Sequence, residues 1–401
     1  MAVAKFAPMA RQPYTPLTEA SDEAYQQHML MHVSRTFALT IPQLPDGLRG
    51  AVTSAYLLCR IADTIEDEPA VSPEDTFRYL ERFSAAVAGR ADPAALGREV
   101  AARLSERTLA AERDLVANMD RVIRTTARLG AEQRAAIGRC IDLMCYGMHH
   151  FQQTASLNGL PRSSDLDSYC YYVAGVVGEM LTELFCSHSR LDGERRAALR
   201  ELAASFGQGL QMTNILKDMW EDRSRGACWL PQELFARHGV ELARLEPAAA
   251  DARFAAGLRE LIGLAHAHLR NAIAFTLLIP RREAGIRRFC LWAIGLAALT
   301  LRRIERNPLF RSGAEVKVSH AAVALTRLTT TLAVRNDRML MRLFDWTARD
   351  LPLAAPAEVR RHSRAATIAA QRPAAARDFG AEVVSASLAS APYPSDGSSA
   401  Q

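Results

Sequence analysis

The stretch YLLCRIADTIEDEP, residues 56–69, has apolar residues at three- and four-residue intervals, a spacing that predicts an α-helix. It ends in four acids within six positions: Asp63, Glu66, Asp67 and Glu68. Positions i, i+3 and i+4 share one helical face, so Asp63, Glu66 and Asp67 point the same way and repel one another. A helix with this ending needs water, arginines or divalent cations beside it.

A second cluster of the same form, D-x-x-E-D, lies at Asp218, Glu221 and Asp222. Each cluster follows apolar sequence and precedes a helix-breaking stretch, so two such helices placed face to face would line one opening with six acids. We call these six residues the acidic mouth. Mg²⁺ suits this arrangement because it prefers carboxylate oxygen and often binds a substrate phosphate as well. The alternative is two solvated helix ends, but the repeated form favours the metal hypothesis.

The helical pattern continues almost without interruption from about residue 21 to 347, and no alternating strand with a hairpin turn is present. The sequence therefore predicts an all-α fold, with one helical domain over 21–347 and a central apolar cavity that would house a hydrocarbon chain. A flexible lead is predicted over 1–20. A disordered tail rich in Ala, Pro and Ser is predicted over 348–401.

Composition argues against a nucleic-acid partner and against a disulfide framework. The chain has 401 residues and a net charge of +5, without a long basic block, aromatic–basic alternation or zinc-finger spacing, so we predict no nucleic-acid partner. Seven cysteines without a C-x-x-C pair indicate reduced, buried thiols in a cytoplasmic protein.

Targeting and membrane signals are weak. The N-terminal residues lack the apolar core of a secretory signal. The longest apolar run, 289–301, is too short to span a bilayer, which predicts no transmembrane anchor. The arginine-containing segment 274–299 either lines the pocket floor or makes a peripheral contact with a membrane surface.

Four blocks carry a family resemblance: SRTFALTIPQLP at 34–45, the acidic helix at 56–69, YCYYVAGVVGEMLTELF at 169–185, and QMTNILKDMWEDRSRGACWLPQE at 211–233. Together, and in this order, they resemble the squalene/phytoene synthase family over about residues 30–330. That family consists of all-α enzymes with an isoprenoid-synthase-type bundle that condense two prenyl diphosphates head to head. The resemblance thus implies the same fold class as the helical periodicity.

Within the family, D-T-x-E-D at 63–67 and Y-C-x-Y-V-A-G-x-V-G at 169–178 resemble the squalene-forming members. This implies Mg²⁺-dependent condensation of two farnesyl diphosphates to presqualene diphosphate, followed by reduction to squalene with NADPH. Three alternatives stay open: a dehydrosqualene or phytoene synthase, a presqualene diphosphate synthase without a reductant, and a non-catalytic helical adaptor. The sequence leaves the oligomeric state open.

The resemblance implies two sets of Mg²⁺ ligands, one for each diphosphate. The first set is Asp63, Glu66 and Asp67. The second set is Asn214, Asp218 and Asp222, with Glu221 as an auxiliary ligand. The four aspartates are also the implied catalytic residues, because the ions that they hold would stabilise the departing diphosphate.

Two arginines are implied phosphate contacts. Arg35 lies in the first family block, and Arg60 precedes Asp63 by three residues. The alternative for Arg35 is a surface salt bridge. The alternative for Arg60 is an intrahelical pair with Asp63 or Asp67. Both interpretations of Arg60 hold together if the guanidinium changes partners when substrate arrives.

The middle block supplies the implied catalytic tyrosine. Tyr169 resembles the tyrosine that the family uses near the reacting carbons, and Tyr172 lies three residues on as the second candidate. The alternative for either is a packed ring with its hydroxyl satisfied. Gly175 and Gly178 either admit a substrate chain or permit close helix packing.

The NADPH contacts are implied by two of the chain's three lysines. No G-x-G-x-x-G follows a strand, so the cofactor would bind within the helical domain itself. Lys217 and Lys317 match positions where the family places cationic cofactor contacts; the alternative is that they are surface residues. Ser319 departs from the family pattern, which usually has a second basic residue there.

Overall fold

The computed structural model describes residues 14–34, 36–355 and 359. Over these residues the backbone forms sixteen α-helices and no β-strand, apart from an isolated bridge between Leu160 and Pro231, which confirms the predicted all-α class. The helices are α1 Asp22–Val33, α2 Phe37–Thr40, α3 Asp46–Glu66, α4 Pro73–Val87, α5 Pro93–Ala101, α6 Ala110–Ala117, α7 Met119–Ala127, α8 Ala131–Gln152, α9 Ser163–Cys170, α10 Val176–Ser189, α11 Gly193–Ser224, α12 Gln232–Arg237, α13 Ala252–Leu278, α14 Ala284–Arg306, α15 His320–Ala333 and α16 Asp337–Ala348.

The predicted terminal segments are only partly covered. Residues 1–13 and, except for 359, all residues from 356 onward lie outside the described residues. The boundaries of the lead and of the tail therefore stay predictions.

The two longest helices form the centre of the bundle. Asp192 starts α11 by accepting a hydrogen bond from the Arg195 backbone N–H at 2.8 Å, and Asp251 starts α13 in the same way. These helices pack along each other, and α11 also packs against α10 and α14. The second acidic cluster lies in the last turns of α11, so the bundle centre leads directly to it.

Glycine permits the close contact between α10 and α11. A Cβ atom at Gly178 would lie 2.0 Å from the Ala203 carbonyl oxygen, and one at Gly207 would lie 1.9 Å from the Ala174 carbonyl oxygen. Any side chain at either position would push the helices apart. Of the two roles considered for Gly178, the structure shows close helix packing.

The helix α3 carries the first acidic cluster. Its apolar face, with Leu57, Leu58, Ile61 and Ile65, is buried, and it packs against α7 and α8. The helix ends at Glu66, with Asp67 as its C-cap. Burial of the apolar face therefore leaves the acids at one end of the bundle, as the periodicity predicts.

An apolar cavity lies inside the bundle beneath the second acidic cluster. Met212, Ile215 and Leu216 of α11 line it, together with Leu166 and Leu261. Its volume is about 10 Å³, the space of one water molecule.

The most apolar helices are core helices. Both α13 and α14 are long and apolar enough to cross a membrane, but 72% and 67% of their apolar windows are buried inside the fold. Within segment 274–299, Arg281 and Arg287 both form ion pairs with Asp337, and Arg287 is fully buried. These two arginines therefore form ion pairs within the protein.

All seven cysteines are free thiols, and six are buried.

Candidate active site

The two acidic clusters meet in space. Arg225, just after the end of α11, contacts one acid from each: its Nη2 lies 2.5 Å from Asp222 Oδ1, and its Nη1 lies 3.6 Å from Asp67 Oδ2. Asp67 caps α3 and Asp222 lies in the last turns of α11. The ends of these two helices therefore face each other across a single guanidinium.

Basic side chains pair with four of the six acids of the mouth. Arg60 Nη1 lies 3.8 Å from Asp63 Oδ2, and Lys217 Nζ lies 2.6 Å from Asp218 Oδ2. Over the residues that the structure describes, no three His, Cys, Asp or Glu side chains converge closely enough to hold a metal ion. The two Mg²⁺ ligand sets therefore stay predictions.

The donor set is nevertheless suited to a hard cation. Burial raises the pKa of Asp222 to about 6; its ion pair with Arg225 opposes that rise, and Asp218 and Asp67 add to it. Burial also raises the pKa of Asp63 to about 6, against the lowering effect of Arg60. Carboxylates that are buried and close to one another gain from a divalent cation, and Mg²⁺ prefers oxygen ligands of this kind.

Glu66 completes the α3 side of the mouth. It is half-buried at the last position of the helix. Burial raises its pKa well above the usual range, and the neighbouring Asp67 and Asp63 raise it further. Its charged form is therefore disfavoured, as expected of a group that a bound cation would stabilise.

Tyr169 lies beneath both clusters. Its ring is 7% exposed and stacks on Trp229 with a centroid distance of 4.1 Å and an interplanar angle of 10°, while Phe151 packs edge-on at 5.3 Å. Burial raises the pKa of Tyr169 well above its usual value, and Glu66 and Asp222 raise it further. The phenol is thus neutral, and it lies within the electrostatic influence of one acid from each helix, Glu66 of α3 and Asp222 of α11.

Tyr172 belongs to the same aromatic group. Its ring lies 6.2 Å from Phe151 and 5.7 Å from Tyr146, centroid to centroid, and Tyr172 is 2% exposed. The backbone around it forms a π-helical turn, Tyr171–Gly175, of the kind often found at functional sites. Tyr169 and Tyr172 share Phe151 as a neighbour, so the two candidate tyrosines lie in one aromatic group.

The remaining predicted residues of α11 differ in role. Asn214 is exposed one turn before Asp218. Glu221 accepts a hydrogen bond from the Gly313 backbone N–H at 2.9 Å, which holds the loop between α14 and α15 against α11. The structure thus gives Glu221 a partner outside the mouth, whereas Asn214 is free to turn toward a ligand.

The predicted cofactor lysines lie on these two neighbouring segments. Lys317 is exposed in the loop held by Glu221. A Cβ atom at Gly313 would lie 3.0 Å from the Lys217 carbonyl oxygen, so this loop passes directly over Lys217. Ser319 caps α15 by accepting a hydrogen bond from the Ala322 backbone N–H, a structural role.

Arg225 and Trp229 were not predicted from the sequence. Arg225 follows Asp222 by three residues, a spacing at which a helical ion pair could have been expected. Trp229 lies outside the helices and gave no local signal.

Glu68, the fourth acid of the first stretch, is buried and accepts hydrogen bonds from Ser105 and Thr108, so its role is structural. Arg35 lies outside the described residues.

Comparison with known proteins gives consistent matches. Residues 30–322 match the family model described as squalene/phytoene synthase. The squalene synthase of Eremothecium gossypii is 26% identical over 351 residues, which cover 85% of this chain and 75% of that protein. The squalene synthase ERG9 of Saccharomyces cerevisiae is 26% identical over 352 residues, which cover 85% and 74%.

Solved structures agree at the level of the fold. A structure of TcSQS in complex with the ligand BPH1237 aligns with a TM-score of 0.66 and 25% identity, covering 87% of this chain and 98% of the other. A ligand complex of a dehydrosqualene synthase aligns with a TM-score of 0.53 and 23% identity, covering 81% and 96%.

Proposed function

This chain belongs to the squalene/phytoene synthase family and is a prenyltransferase, and from that premise we propose that it acts as a squalene synthase. It would condense two farnesyl diphosphates head to head to presqualene diphosphate and then form squalene. The observation that supports this most is that the acids of α3 and α11 meet at Arg225, above the buried ring of Tyr169. In our proposal, one diphosphate would bind at each acidic cluster, and both prenyl chains would lie near Tyr169.

The mouth would bind and release diphosphate. Mg²⁺ held by the aspartates of the two clusters would neutralise the leaving group, so that the allylic C–O bond breaks with its electron pair on oxygen. Arg60, Lys217 and Arg225 now pair with these aspartates. They would turn to phosphate oxygens once ions and substrate are bound, because guanidinium and ammonium groups bind phosphate strongly. The same basic groups therefore serve both states.

The aromatic group would hold the carbocation. Tyr169, Trp229 and Phe151 present ring faces and edges in a region without bulk water, and electron-rich ring faces attract cations. Because its pKa is raised, Tyr169 is a hydrogen-bond donor and a poor base. The proton lost when the cyclopropane closes would therefore go to the departing diphosphate, with Tyr169 orienting it.

The second half-reaction requires a hydride donor. NADPH would supply the hydride that quenches the rearranged cation. Lys317 is exposed and, over the described residues, forms no ion pair, so it is available to a cofactor phosphate. Ser319 adds no positive charge at this place, so we propose that Lys317 and Lys217 provide the main cationic contacts.

The test is to incubate the pure enzyme with farnesyl diphosphate and Mg²⁺, with and without NADPH, and to identify the products by mass spectrometry. We expect squalene only with NADPH and presqualene diphosphate without it. Presqualene diphosphate under both conditions, or dehydrosqualene or phytoene without reductant, would replace this proposal by the corresponding family activity.

Site variants test the metal assignment. Replacing Asp63 or Asp218 with Asn should lower the turnover rate about 100-fold or more, because an ion then loses a charged ligand. The matched control is Asp345→Asn, a half-exposed aspartate that pairs with Arg270 away from the mouth. Circular dichroism should show unchanged helicity in all three. Full activity of either mouth variant would contradict the assignment.

A further inference from the structure

The outer face of α15 is apolar and exposed. Ala321, Leu325, Leu328 and Leu332 follow the four- and three-residue spacing of a single helical face. The three leucines are 57%, 56% and 78% exposed. We call these four residues the α15 leucine face. Single exposed leucines are ordinary on a protein surface, but an aligned row of this kind marks a contact region.

The inner side of α15 is thinly packed. Thr330 and Ala333 are its only buried residues, and the helix packs against α14 and α16. An apolar cavity of about 10 Å³ lies behind it, lined in part by Val323, Thr326 and Trp292. The helix thus turns its large apolar side chains outward, the reverse of a helix that only covers a core.

The turn after α15 and the helix α16 add positive charge without matching negative charge. Arg335, Arg338 and Arg342 are exposed and, among the described residues, form no ion pair. The aspartates nearby are all paired with arginines: these are Asp337, Asp345 and Asp350. The α15–α16 hairpin therefore carries exposed guanidinium groups without an ion pair among the described residues, in addition to the leucine face.

A tryptophan lies on the same hairpin. Trp346 is 55% exposed, and Arg302 and Arg349 each lie 5.5 Å from its ring centroid. Tryptophan with arginine is a combination that prefers the boundary between lipid head groups and acyl chains. A protein partner would account for the leucines but not specifically for this set of basic and aromatic groups.

We infer that the α15–α16 hairpin docks this protein on an anionic lipid bilayer. The leucine face enters the boundary of the acyl chains, and Arg335, Arg338 and Arg342 bind lipid phosphates. The choice of a bilayer rests in part on the proposed function, since a hydrocarbon product leaves most readily into an apolar phase. Segment 274–299 does not provide this contact through Arg281 and Arg287, which are paired with Asp337.

The test is vesicle co-sedimentation of the full chain. We expect binding to vesicles of phosphatidylcholine with about 30% phosphatidylglycerol, little binding to phosphatidylcholine alone, and weaker binding in about 0.5 M NaCl. Two triple variants separate the contributions: Leu325→Ser with Leu328→Ser and Leu332→Ser, and Arg335→Gln with Arg338→Gln and Arg342→Gln. Each should weaken binding about tenfold or more.

The control replaces three exposed leucines outside the hairpin, which are 44%, 39% and 41% exposed: Leu109→Ser, Leu157→Ser and Leu309→Ser. It should bind like the unaltered protein. Equal binding by the leucine-face variant and the unaltered protein, or no binding by the latter, would overturn the inference. If the unaltered protein is a dimer that does not bind vesicles, and the leucine-face variant is a monomer, the face is a contact with a second copy of the chain.

Turnover of dispersed farnesyl diphosphate separates the two proposals. The hairpin variants should keep it, because none of these residues lies in the mouth. If the unaltered protein binds vesicles but forms no product, the proposed function is wrong and the docking surface is not affected.

Discussion

Asp167 offers a test of how burial controls ionisation in this bundle. It lies on α9, is fully buried, and accepts a hydrogen bond through Oδ1 from Gln208 Nε2 at 2.8 Å. Its Oδ2 has no partner over the described residues, and His268 Nε2 lies 3.9 Å from Oδ1. Burial raises the pKa of Asp167 to about 8. At neutral pH the folded protein therefore holds a carboxylic acid there.

The energetic consequence follows from proton linkage. In the unfolded chain the aspartate ionises with a pKa of about 3.9, so between that pH and about 8 folding must take up a proton. The contribution of Asp167 to stability is fully present below pH ~3.9 and is lost at about 1.4 kcal/mol per pH unit until about pH 8. At pH 7 the accumulated loss is about 4 kcal/mol at most.

Replacement of Asp167 by Asn removes this cost. The amide keeps the oxygen that accepts from Gln208 and has no charge to lose, so the variant should gain up to about 4 kcal/mol of unfolding free energy at pH 7 and almost none near pH 4. Urea unfolding at several pH values measures the difference. The control Asp345→Asn, half-exposed, should change stability by less than about 0.5 kcal/mol.

The refuting result is specific. If Asp167→Asn lowers stability at pH 7, or if its effect does not depend on pH, the carboxylate is ionised in the folded protein. The neighbouring imidazole of His268 would then carry the compensating charge, and the interior at α9 would contain an ion pair instead of a neutral acid.

Three further predictions concern the mouth and the core. Arg225→Gln should lower the Mn²⁺ concentration for half-saturation about fivefold, because the guanidinium that competes for Asp67 and Asp222 is removed. Calorimetry without substrate measures this concentration, and an unchanged Mn²⁺ affinity would refute the competition. Mg²⁺ with pyrophosphate should raise the unfolding temperature, and a chelator should abolish the rise; stabilisation by pyrophosphate alone would contradict the metal hypothesis. Asp337→Ala should cost about 3–5 kcal/mol in urea unfolding, because the buried Arg287 loses its carboxylate; a cost below about 1 kcal/mol would show that water reaches the guanidinium.

The sequence by itself determined the local features. Helical spacing predicted α3 and the buried face with Leu57 and Ile61, because positions three and four residues apart share a face whatever the rest of the chain does. The two D-x-x-E-D clusters predicted acids at helix ends for the same reason. The repetition of the cluster favoured one site over two unrelated surfaces, although nothing local required the two helix ends to meet.

Tertiary structure alone decided what joins those helix ends. Arg225 bridges Asp67 and Asp222, Trp229 stacks on Tyr169, and Glu221 turns to the backbone of Gly313, away from the other acids. The Arg225–Asp222 pair follows from a spacing of three residues, but the contacts of Arg225 with Asp67, of Trp229 with Tyr169 and of Glu221 with Gly313 depend on how distant segments pack. The periodicity of the chain therefore fixes which faces are apolar or acidic, whereas long-range packing fixes which charges and rings come within reach of one another.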